Sequence, residues 1–197
     1  MKNTGKFATG FTLIELMVSV SLAVILLAVA VPSVTTFMRN SQLTSFTNAL
    51  LSGINAARSE AMKRGRYAMV VPADGSSWDS GWIVFVDVDR NSSYSATSDI
   101  TILTSEPKPP YLTITAIAVD GTTPPPPILY IMYDASGYSR RTLTGAFGAS
   151  TFEIKRNDVT GAELLSQTRR LKIASTGRAR VCTPKSDPDD TCDLVLP

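Results

Sequence analysis

Apolar residues are spread unevenly along this chain. From Phe11 to Val31 they run almost without interruption, which is long enough for a helix to cross a bilayer, because about 20 residues rising about 1.5 Å each span the hydrocarbon core. Beyond Pro32 they thin to a stripe in which Phe37, Met38, Leu43, Phe46, Leu50, Leu51, Ile54, Ala57 and Ala61 recur at helical intervals. Gly65 follows the basic turn Met62-Lys63-Arg64 and has the position of a C-cap. One helix is therefore expected from near Thr12 to Arg64, apolar in its first half (11–31) and amphipathic in its second (32–64). Arg58, Glu60, Lys63 and Arg64 are expected on its solvated face, joined by local ion pairs.

After Gly65 the pattern changes to short alternating or apolar runs separated by turn residues, the signature of strands. Strands are expected at 66–71, 81–88, 100–104, 112–118, 128–133, 150–155, 170–174, 179–182 and 194–196, giving an antiparallel, β-rich head over 65–197 and an α+β fold. The run Pro124 to Pro127 cannot donate sheet hydrogen bonds through its nitrogens and is expected to form a stiff, exposed connection.

Composition removes several kinds of chemistry. Histidine is absent, which excludes Ser-His-Asp and Cys-His catalysis, imidazole bases and histidine-ligated metals. No paired carboxylate site stands out, so the chain is not read as an enzyme, and no cofactor is expected. The two cysteines, Cys182 and Cys192, are too few for a structural zinc site. A disulfide between them suits an oxidising periplasm or cell surface, with a pair of reduced thiols as the alternative. Asp87-Val88-Asp89-Arg90-Asn91 begins like a calcium loop, but Ser92 and Ser98 stand where glycine and the closing glutamate belong. A polar hairpin turn is expected there, and no metal site.

The ends of the chain carry the most specific signals. Lys2 and Lys6 precede the apolar run with no acid among the first ten residues, which holds that end in the cytoplasm. Glu15 lies inside the apolar run, where an unpaired carboxylate costs several kcal/mol. The string Gly10-Phe11-Thr12-Leu13-Ile14-Glu15-Leu16-Met17-Val18 resembles the class III signal sequence of type IV pilins and pseudopilins, with Pro32 where that family's helix kinks. The segments Ala57 to Gly65 and Trp78 to Asp87 resemble the FimT/GspH branch in particular.

The resemblance implies a leader, 1–10, removed by prepilin peptidase between Gly10 and Phe11, with methylation of the new amino terminus. It implies a helix, 11–31, that anchors the chain in the bacterial inner membrane with the head in the periplasm. After assembly the head would be displayed in a pilus at the cell surface, among other pilins. It also implies a role for Glu15 in assembly, pairing with the terminal amine of a neighbouring subunit. A cation placed there would answer the energetic problem of a buried carboxylate.

The net charge of +2 is small but unevenly spread. Between Arg140 and Lys185 stand ten cations against three acids, whereas Asp74 to Glu106 holds six acids and Arg90. A basic surface built by the C-terminal half is expected. Within it, Thr176-Gly177-Arg178-Ala179-Arg180 predicts a turn and then a strand with Arg178 and Arg180 on one face, roughly 6 to 7 Å apart. Two guanidinium groups so spaced can reach successive phosphates of one nucleic-acid strand. The string resembles the Gly-Arg-x-Arg motif of DNA-binding FimT proteins, which act in natural transformation. On that resemblance Arg178 and Arg180 are the primary phosphate contacts, with Arg169, Arg170 and Lys172 as neighbours, and binding ignores sequence. Few aromatics accompany these arginines, so base stacking is not expected. The alternatives are an H-type minor pseudopilin of a type II secretion system, whose basic face meets protein partners, and a structural minor pilin that initiates assembly without touching DNA.

Overall fold

A computed structural model describes residues 10–120, 124–143, 145–186, 189 and 191–193. The leader expected at 1–10 lies almost wholly outside the described residues, as does the strand expected at 194–196.

Helix α1 covers Leu13–Arg64 and continues through position 32. The chain divides into two compact units, 1–41 and 42–197. In the first, Leu22, Val24, Ile25 and Leu27 are each more than half exposed, and the segment is long and apolar enough to cross a membrane. Three of its hydroxyls bond the helix's own backbone. Ser19 Oγ donates to the Glu15 carbonyl at 2.7 Å, Ser21 Oγ to that of Met17 at 2.8 Å, and Thr35 Oγ1 to that of Val31 at 2.9 Å. No hydroxyl among these three needs water, which suits a lipid surrounding.

In the second unit the expected stripe faces inward: Leu43, Leu50, Ile54, Ala57 and Ala61 are all buried. The helix stops as anticipated, with Gly65 at φ 62° and the Arg66 N–H bonded to the Ala61 carbonyl. Two antiparallel sheets complete this unit. The first contains β1 (Tyr67–Pro72), β2 (Trp82–Asp87), β3 (Ile100–Thr104), β5 (Ile131–Tyr133) and β6 (Ser139–Arg140), in the order β3-β2-β1-β5-β6. The second contains β4 (Leu112–Val119), β7 (Ala149–Arg156), β8 (Thr168–Ile173) and β9 (Ala179–Cys182), in the order β4-β7-β8-β9. Val70, Val84, Tyr133, Phe152, Ile154 and Leu171 join the helix stripe in one core. A smaller cluster of Met69, Phe85 and Met132 covers the other face of the first sheet.

Trp82 sits at the centre of the main core, edge-on to Phe46 at 5.3 Å. A Cβ at Gly53 would come within 2.9 Å of Trp82 Nε1. Gly53 thus lets α1 approach a rigid ring. Gly53→Ala gains about 1 kcal/mol of helix propensity but forces a buried indole aside, at a cost of about 1–3 kcal/mol. We expect net destabilisation, seen as a lower midpoint in urea followed by tryptophan fluorescence.

The structure departs from the sequence reading at short elements. Strand β6 has two residues and α2 (Glu163–Ser166) four, too few to show periodicity. Trp78–Ser80 forms a 3-10 turn, capped by the Ser77 side chain accepting from the Asp79 N–H. The prolines are more than an exposed connection. The Pro126 carbonyl accepts from Ala118 N–H at 2.9 Å, and Pro127 bridges Ile117, so the run lines the edge of β4 through its carbonyls, which proline retains.

Candidate functional site

At the N-terminal end, the Glu15 carboxylate is hydrogen-bonded within the chain. Its Oε2 accepts from the Thr12 N–H at 2.9 Å and the Thr12 hydroxyl at 2.8 Å, while the Glu15 N–H donates to Thr12 Oγ1 at 3.3 Å. This is a capping box, in which residues three apart satisfy each other's backbone groups at a helix start. The Thr-x-x-Glu spacing could have revealed it. Gly10 and Phe11 stand exposed just before the helix.

Within the head, two turns of the same design meet. In the first the Asp134 N–H bonds the Tyr138 carbonyl at 3.0 Å and the Gly137 N–H the Asp134 carbonyl at 2.9 Å, with Gly137 at φ 78°. In the second the Ala174 N–H bonds the Arg178 carbonyl at 2.9 Å and the Gly177 N–H the Ala174 carbonyl at 2.8 Å, with Gly177 at φ 83°. Both are hairpin turns closed by a left-handed glycine. Their relation is legible afterwards in Ala135-Ser136-Gly137-x-x-Arg140 and Ser175-Thr176-Gly177-x-x-Arg180. The turns touch, since a Cβ on Gly177 would lie 1.9 Å from the Gly137 carbonyl oxygen. Arg58 ties both to α1, donating from Nε to the Gly137 carbonyl at 2.9 Å and from Nη2 to that of Thr176 at 3.3 Å. The expectation that Arg58 belongs to a solvated face is therefore corrected: it is half-buried and bonds backbone carbonyls far along the chain. Glu60, Lys63 and Arg64 do form local pairs.

The second turn leads into β9, which carries Arg178 just before it and Arg180 within it. Both side chains are exposed and line one groove of about 260 Å³ with Lys172, Thr151 and Val119. Lys172 pairs directly with Arg180 across β8 and β9. Burial, then the adjacent Arg180 charge, draw the Lys172 ammonium below the ordinary lysine range, and Asp193 works in the opposite direction. Arg180 also donates to the Thr191 carbonyl at 3.2 Å.

Arg169 and Arg170 stand elsewhere. Strand alternation puts Arg169 on the face of Leu171 and Ile173, where its Nη2 donates to Thr44 Oγ1 of α1 at 3.3 Å and burial lowers its pKa. Arg170 shares the outer face with Lys172, and both are buried. Arg170 holds Glu153 Oε2 through Nε and Nη2, both at 3.0 Å, and the Cys192 carbonyl through Nη1 at 2.8 Å. The basic bias is also largely spent on internal pairs: Arg140 with Asp134, Arg141 with Asp120, Lys155 with Glu153 and Arg156 with Asp158. The broad basic surface expected from composition is thus reduced to the groove around Arg178 and Arg180.

Cys182 and Cys192 form the disulfide, 5.9 Å between Cα atoms. Asp189 organises the loop it closes, accepting from the backbone N–H groups of Lys185, Thr191 and Cys192. Those bonds hold its carboxyl well below the usual range. The acidic turn after β2 also has a structural logic. The carboxylate oxygens of Asp87, Asp89 and Asp99 come within 4.8 Å of one another, yet Asp87 accepts from the Asn91 and Ser92 amides and Asp99 from those of Val88 and Ser95. Burial raises the Asp87 pKa. Asp99 was not visible as part of this turn in the sequence because the hairpin brings it back from beyond the loop.

A long N-terminal helix with an apolar first segment, and an amphipathic second segment packed on antiparallel sheet, define a type IV pilin-like protein. The prokaryotic N-terminal methylation motif matches residues 6–31, and the family of the type II transport protein GspH matches residues 47–177. The chain belongs to the GspH family. A crystal structure of the type IV minor pilin FimU from Pseudomonas aeruginosa is similar in fold, with a TM-score of 0.51 and 18% identity, covering 76% of this chain and 98% of that one. A second crystal form of FimU gives 0.47 and 18%, over 75% and 96%. No curated protein was found to match in sequence. The chain is thus a type IV pilin-like protein of the GspH family, with an N-terminal helix long and apolar enough to cross a membrane. The family match ends at Gly177, so Arg178 and Arg180 lie just beyond it.

Proposed function

We propose that this chain is a minor type IV pilin whose head binds extracellular DNA without regard to sequence, supporting DNA uptake in natural transformation. The observation that carries this reading is the pair of exposed guanidinium groups, Arg178 and Arg180, on one groove of the outer sheet face. Lys172 adds a third cation at the floor. Prepilin peptidase would cut between Gly10 and Phe11, and Glu15 would exchange its Thr12 donors for the amine of a neighbouring subunit. Oxidation of Cys182 and Cys192 fits a head held in the periplasm and displayed on the pilus.

The test is a gel or anisotropy measurement with the full chain in detergent micelles. Arg178→Gln with Arg180→Gln should lower affinity for duplex DNA about tenfold or more and reduce the slope of log K against log salt by about 2, as two phosphate contacts are lost. Transformation should fall while pilus assembly persists. A second reading, an H-type pseudopilin of a type II secretion system, is favoured by the family match. In that case the double variant would leave DNA retention and its salt slope unchanged and impair secretion instead.

A further inference from the structure

The cationic groove does not end at Arg178. Ala149 and Ser150, at the start of β7, also line a second groove of about 340 Å³, whose other walls are Pro127, Tyr130, Ile131 and Arg141. That volume falls within the range of small-molecule clefts, about 300–1,000 Å³. Its walls are mostly apolar. Tyr130 lines one side, its hydroxyl directed at the Arg141 carbonyl. Arg141 is oriented by Asp120 at 3.0 Å and Arg140 by Asp134 at 2.7 Å. The sequence showed few aromatics near Arg178, but the fold brings Tyr130, from a segment almost fifty residues earlier, into the groove that adjoins the one Arg178 lines.

Ser150 pairs with Ile173 and Ile173 with Ala179. Ala149 therefore lies about two strand spacings, roughly 10 Å, from Arg178. Arginine side chains and the phosphate-to-base reach of a nucleotide together cover that gap. Resting on the DNA reading above, we infer that the ligand is single-stranded: its phosphates lie on Arg178 and Arg180 while an unpaired base enters the groove beside Tyr130. Charge selects the backbone and the apolar wall selects an exposed base. A duplex keeps its bases stacked and can use only the first groove.

The experiment compares three fluorescent probes on the full chain in detergent micelles: a 12-nucleotide DNA strand, an abasic strand of equal length, and the duplex. The base-bearing strand should bind at least about fivefold more tightly than the abasic one, the scale of a single stacked base. Tyr130→Ala, which takes the ring out of the second groove and does not touch the lining of the first, should remove that difference while leaving abasic binding in place. Leu129→Ala, at an exposed position in the lining of the same groove, gives a second variant that should do the same if Tyr130→Ala does not fold. Equal affinity for base-bearing and abasic strands, with both weakened by Arg178→Gln and Arg180→Gln, would overturn the inference and leave the DNA reading standing. Binding of none of the probes would remove both.

Discussion

Replacing Gly177 with alanine should destabilise the head by about 3–5 kcal/mol, in the tail of single-residue effects that marks a specific structural cause. Two costs combine. The residue sits at φ 83°, where an L side chain costs roughly 1–2 kcal/mol. The new methyl would also fall 1.9 Å from the Gly137 carbonyl oxygen, which is backbone and fixed by Arg58, so the turns must separate. Gly161 provides the control. It has φ 67°, but nothing lies within 4 Å of where its Cβ would stand, so Gly161→Ala should show only the first cost. Urea unfolding of both variants, followed through the buried Trp78 and Trp82, separates strain from overlap. If the two midpoints shift equally, the contact between the turns contributes nothing. Gly177 thus has a reason to precede Arg178 that does not involve a ligand: it lets one hairpin lie against another and so places the two arginines.

Removing Arg170 should cost about as much, by a different route. Arg170→Ala leaves Glu153, whose side chain is 11% exposed, with Lys155 as its remaining ionic partner, and takes a donor from the Cys192 carbonyl. Breaking a buried pair from one side typically costs about 3–5 kcal/mol. Replacing both partners, Arg170→Met with Glu153→Met, should recover most of that loss, because an apolar pair carries no stranded charge. Guanidinium unfolding of the single and double variants checks it. A single variant as stable as the parent would show that water already reaches Glu153. The expectation also distinguishes Arg170 from Arg178 and Arg180, whose loss should leave stability within about 0.5 kcal/mol, as for other exposed positions.

Much of the fold was legible because its determinants are local. The apolar run, the stripe after Pro32 and the Gly65 stop predicted α1 to within a residue of its observed start. Strands at 100–104 and 179–182 matched β3 and β9 at both ends, since alternation and turn residues bound them closely. The two-residue β6 and the single turn of α2 were not legible, because periodicity needs length. The basic bias illustrates a different limit. Counting cations from Arg140 to Lys185 could not show which of them face carboxylates, since partners such as Asp134 and Asp120 come from outside that stretch or from the opposite strand.

By itself, then, the sequence determined that this protein has a helix apolar enough to enter a membrane, a head of antiparallel strands, and a glycine turn leading to two alternating arginines. Each follows from spacing along a few neighbouring residues. The tertiary structure decided which charges remain available. Pairing β8 between β7 and β9 turned Arg170 into a buried clasp, sent Arg169 toward α1, and left Arg178 and Arg180 beside Lys172 on an open groove. Charge counts add along a chain, but a charge's environment depends on what the fold places beside it.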